Sequence, residues 1–196
     1  MLVDGALAQT TLTLTFANDA NRILEGELLF PLPEGSTVSG YGLDVNGQMV
    51  DGVAVEKEHA RQSYEQEVHK GIDPGLLEHV AGNNFRTRVY PIPAKGTRTV
   101  RVQYEGDLTA TADGLEFSMP LNWGQKIAAC NVRVEVLDAS TKPVLHGRAF
   151  EAMGFAPRDG GGLVAEGKLN DVTLAEDLSI GMQGAGPAVV VEKRAK

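Results

Sequence analysis

Apolar and polar residues alternate with a period of two along most of this chain, and that period admits few folds. Leu12, Leu14 and Phe16 alternate with Thr11, Thr13 and Thr15. Successive side chains of a strand point to opposite faces, so the pattern gives one buried face and one lined by β-branched residues. Leu24, Gly26, Leu28 and Phe30 repeat it against Glu25, Glu27 and Leu29. Pro31 and Pro33 stop that run, because proline has no N–H to give the ladder. Tyr41, Leu43 and Val45 lead to Asn46-Gly47, the dipeptide best suited to a two-residue hairpin turn with positive φ. Met49 to Val55 is the predicted returning strand.

The period changes once. Residues 56–70 contain neither Gly nor Pro, and Ala60, Tyr64 and Val68 fall on one helical face. Acidic residues open the segment, His69 and Lys70 close it, and Gly71 follows as a C-terminal cap, all of which suit the helix dipole. Alternation then resumes. Phe85, Thr87 and Val89 alternate with Arg86, Arg88 and Tyr90 up to Pro91 and Pro93, and Val100, Val102 and Tyr104 follow. Beyond Gly106, Leu115, Phe117 and Met119 alternate, as do Cys130, Val132, Val134 and Val136. Short strands are predicted around Val144, Leu163, Val172, Ile180 and Val190, with a turn at Asp159-Gly160-Gly161-Gly162. The expected fold is mainly β: a β-sandwich-like domain over 1–108 with one α-helix at 56–70, then a second β-rich segment over 109–196. That segment is either a connector or a second β-sandwich.

A chain of 196 residues buries roughly 70% of its unfolded surface and needs no metal or disulfide staple. Its formal net charge of -8 disfavours non-specific binding to nucleic acid or anionic lipid. The lone Cys130 forms no internal disulfide. Met1-Leu2-Val3-Asp4-Gly5 has neither the basic nor the apolar stretch of a leader peptide, and no apolar run nears 20 residues. Both ends read as strands, Val189-Val190-Val191 among them, so the expectation is a piece of a larger protein.

Four ordered features resemble the vault protein inter-alpha-trypsin (VIT) domain family. The first is Phe16-Ala17-Asn18 followed by Ile23-Leu24-Glu25-Gly26. The second is Phe30-Pro31-Leu32-Pro33-Glu34-Gly35. The third is Val45-Asn46-Gly47 leading to Ala60-Arg61 and Tyr64, with Gly71 behind. The fourth is Phe85 to Pro91 with a closing strand through Tyr104. The opening β segment before Asp4 is shorter than the family pattern. The resemblance implies structural roles for Asn18, Phe30, Pro31, Leu32, Pro33, Gly47, Ala60, Arg61, Tyr64, Gly71, Phe85, Pro91 and Tyr104. It implies an inter-alpha-trypsin inhibitor heavy chain-like, bacterial module. No catalysis and no cofactor are expected of such a module. The implied partner is an adjacent von Willebrand factor A domain of the same chain, with an extracellular protein or polysaccharide as a further one. The implied location is extracytoplasmic, in the cell envelope or secreted.

The residues themselves offer little chemistry. Asp138-Ala139-Ser140-Thr141-Lys142 approaches the Asp-x-Ser-x-Ser metal motif but sets a cation where the second hydroxyl belongs, so a turn before Pro143 is the better reading. His59, His69, His79 and His146 share no ligand spacing. Cys130 is in phase with Val132, Val134 and Val136, which reads as an inert core thiol. Arg86, Arg88, Arg98 and Arg101 are candidates for an anion-binding stripe across neighbouring strands, against an ordinary solvated face. The expected function is a non-catalytic structural and interaction module. The alternative is a free-standing carbohydrate- or matrix-binding β-sandwich that uses Tyr41, Tyr90 and Trp123 as sugar platforms.

Overall fold

The structure is a computed structural model that describes residues 1–45, 47–52, 77–80, 83–137 and 142–184. Among these residues every regular element is a strand. The first eight are β1 (Leu2–Asp4), β2 (Leu7–Ala17), β3 (Leu24–Pro31), β4 (Thr37–Val45), β5 (Gln48–Gly52), β6 (Leu77–Val80), β7 (Asn84–Ile92) and β8 (Thr97–Asp107). There follow β9 (Thr109–Thr111), β10 (Gly114–Met119), β11 (Lys126–Val136), β12 (Lys142–His146), β13 (Ala156–Pro157), β14 (Leu163–Thr173) and β15 (Leu178–Gln183). The predicted helix over 56–70, with Ala60, Arg61, Tyr64 and Gly71, lies outside the described residues, as do Asn46, His59, His69, Asp138 to Thr141 and the run at Val190.

The chain divides into two compact units: Met1–Gln9 with Gly106–Lys196, and Thr10–Glu105. In the second unit, one sheet orders β2, β8, β4 and β5, and the other orders β3, β7 and β6. Alternation on β8 buries Val100, Val102 and Tyr104, and β4 adds Tyr41 and Leu43 to the core. From the other sheet come Phe30 of β3 with Thr87, Val89 and Ile92 of β7. In the β4–β5 hairpin Val45 lies opposite Gln48. Gly47 takes φ 82°, the left-handed region that a turn this tight requires and that glycine enters without a Cβ penalty. Asp44 Oδ1 accepts the Gly47 N–H at 2.7 Å.

In the first unit, β13, β14, β11, β1 and the start of β2 lie side by side, and β12, β15, β10 and β9 form a second sheet. β1 runs parallel to β11 with Val3 opposite Val136, and antiparallel to β2. Val3, Val134, Val136 and Ala165 are buried on the one sheet, and Leu115, Phe117, Met119, Ile180 and Met182 on the other. Two sequence expectations shift here. Leu163 and Val172, predicted as separate strands, belong to the single β14, which pairs with β11 from Lys126–Thr173 to Val136–Leu163. Cys130 is half-buried rather than enclosed, because full burial on β11 begins only at Val134. The glycine turn falls where expected: Gly161 N–H bonds to Arg158 O and Arg158 N–H to Gly162 O, both at 3.1 Å.

Candidate functional site

Asn18 organises one end of the second unit. It is 2% exposed, although a turn asparagine following β2 would ordinarily be solvated. Its side-chain amide donates to the carbonyls of Arg22 at 2.8 Å, Ile92 at 3.0 Å and Pro93 at 3.0 Å, while its Oδ1 accepts the Ala20 N–H at 2.9 Å. Its own N–H reaches Gly96 O at 2.9 Å. Lys95 answers from the facing turn, its N–H on Ala20 O at 3.1 Å and its Nζ on Asp19 O at 2.7 Å. The end of β2 is thereby tied to the β7–β8 turn.

Several other family-type residues among the described ones make contacts within the second unit. Phe30 stacks on Phe85 with ring centroids 6.0 Å apart, and Leu32 is 5% exposed. The Leu32 N–H donates to Asn83 O at 2.8 Å, and Asn83 Nδ2 donates to Pro33 O at 2.6 Å, so the Pro31–Pro33 corner is held by the residue just before β7. Pro31 lies opposite Asn84 at the end of β3, and Pro91 follows a cis peptide in β7. Tyr104 is 2% exposed, and burial pushes its phenol up to about 12, against a smaller opposing pull from the neighbouring Thr10 side chain.

The four arginines divide between two sheets. Arg86 and Arg88 stand on the outward face of β7 and meet carboxylates of β3: Arg86 Nε lies 3.6 Å from Glu27, and Arg88 Nη2 lies 2.5 Å from Glu25. Arg88 also covers the Tyr90 ring at 5.3 Å. Arg98 and Arg101 stand on β8. Arg98 donates to Pro91 O at 2.8 Å and to Asp44 O, and Arg101 pairs with Asp51 of β5. Arg98 thus clasps main chain, whereas the other three sit in ion pairs.

Ile23 and Leu29 flank Glu25 and Glu27 on that outward face and are 57% and 54% exposed. Together with Tyr90, at 37% exposure, they make a mixed apolar and charge-paired surface that sequence reasoning did not single out. The alternation Ile23, Glu25, Glu27, Leu29 was its available signal. The aromatic set does not assemble there. Tyr41 is a core residue, 2% exposed. Trp123, in the first unit, is half-buried, and its indole N–H is buried without an acceptor among the described residues.

Among the described residues no three His, Cys, Asp or Glu side chains converge on a common metal position. His79 packs edge-on against Phe85 at 5.1 Å, and His146 is exposed on β12. Burial pushes the Cys130 thiol up, away from the thiolate that nucleophilic attack requires. A shallow depression of about 250 Å³ is lined by Arg148, Phe150, Leu174 and Glu176, and its charged groups neutralise each other, Arg148 Nε lying 3.1 Å from Glu176. No described helix is long and apolar enough to cross a membrane.

Against known proteins, a family model described as vault protein inter-alpha-trypsin domain matches residues 1–104. The human von Willebrand factor A domain-containing protein 5A is 28% identical over 117 residues, 58% of this chain and 15% of its own length. The Dictyostelium discoideum von Willebrand factor A domain-containing protein DDB_G0292016 is 26% identical over 102 residues, 52% of this chain and 11% of its own. The mouse protein mono-ADP-ribosyltransferase PARP4 is 26% identical over 114 residues, 58% of this chain and 6% of its own. The chain therefore spans only a small part of these relatives. A group B streptococcus pilus 2b backbone protein structure aligns over 93% of this chain and 78% of its own, at 16% identity and a TM-score of 0.34.

Proposed function

Because this chain belongs to the vault protein inter-alpha-trypsin domain family, we propose that it is a non-catalytic structural and interaction module of a multidomain protein. The family is one of non-enzymatic modules, and it occurs in von Willebrand factor A-containing proteins. The observation that carries the proposal is the match over 1–104 together with relatives named for that A domain. The module would pack beside such a domain in its own polypeptide and support contact with proteins or matrix. We divide it into a VIT domain over 1–108 and a β-rich connector or second β-sandwich over 109–196, and place it outside the cytoplasm on the strength of the family resemblance.

The residues agree with a scaffold. Asn18, Phe30, Leu32 and Tyr104 hold the framework, and Arg98 reaches backbone carbonyls rather than an open groove. The ADP-ribosyltransferase name belongs to relatives many times longer than this chain and is not carried over. The carbohydrate-binding alternative loses Tyr41 to the core, which leaves Tyr90 as the exposed aromatic of its set. Reading the coding sequence beyond Lys196 tests the proposal. An Asp-x-Ser-x-Ser motif soon after it supports an A domain in that position. A downstream catalytic domain, or none, would move the reading to a free-standing binding module.

A further inference from the structure

No further inference is drawn: the strongest candidate, the outward face of β3 and β7 where Ile23, Leu29 and Tyr90 lie exposed beside the Arg88–Glu25 and Arg86–Glu27 pairs, has nothing in the structure to show what covers it.

Discussion

The hydroxyls of Tyr41 and Thr87 meet at 2.6 Å in the core of the second unit, joining β4 of one sheet to β7 of the other. Both residues are almost fully buried, at 2% and 1% exposure. Tyr41→Phe leaves the Thr87 hydroxyl without its short partner, a loss of about 1–2 kcal/mol by the usual cost of a broken buried bond. Adding Thr87→Val removes the stranded group. The double variant is therefore expected to be more stable than the sum of the two single losses implies, as read by urea denaturation.

Asn18 carries a larger share. Asn18→Ala strips the hydrogen-bond donor from three carbonyls and the acceptor from Ala20 N–H, at a cost on the order of 2–4 kcal/mol. Asn18→Asp places a carboxylate against those same carbonyls and is expected to cost at least as much at neutral pH. If both variants melt within a degree of the parent chain, the latch is not a structural tie.

The arginines separate by environment. Arg98→Ala removes donors from two backbone carbonyls and is expected to lower stability by about 1–3 kcal/mol. Arg86→Ala and Arg88→Ala break exposed ion pairs and are expected to cost less than about 1 kcal/mol each. Equal losses at all three sites would contradict the assigned roles.

Tyr104 supplies a pH test. Its folded pKa, about 12, lies above the ordinary tyrosine value of 10.0. The unfolded chain then ionises first, so this residue's contribution is intact below pH ~10 and declines as pH rises toward ~12. The decline attributable to it is on the order of 2 kcal/mol. Comparing the alkaline stability slopes of the parent and Tyr104→Phe isolates it: the variant's slope should be shallower, and identical slopes would refute the assignment.

Much of this architecture is written in the period-two pattern. Val100, Val102 and Tyr104 announce a buried face because each strand buries alternate residues irrespective of its partner. Tyr41 was legible too, being in phase with Leu43, and only its aromatic ring made it a surface candidate. What the pattern lacks is pairing. Nothing local ties Arg88 to Glu25, 63 positions away, or Asn18 to Ile92, 74 positions away. The parallel match of β1 to β11 is equally remote in sequence. β14 was divided in two because Lys168, Asn170 and Asp171 interrupt the apolar signal, although Asn170 keeps its register opposite Ala129. As for the outward face of β3 and β7, the alternating Ile23 and Leu29 were visible as letters, but their exposure depends on which sheet face the core claims.

We propose that this chain works as a module packed beside a neighbouring domain of its own polypeptide. Amide hydrogen exchange of residues 1–196 alone, against the same residues joined to a downstream von Willebrand factor A domain, tests it most directly. Joining should slow exchange in a contiguous part of residues 109–196, because a linked neighbour acts at high effective concentration even through a weak interface. Identical exchange in the two polypeptides would contradict the claim and make the units independent beads on one chain.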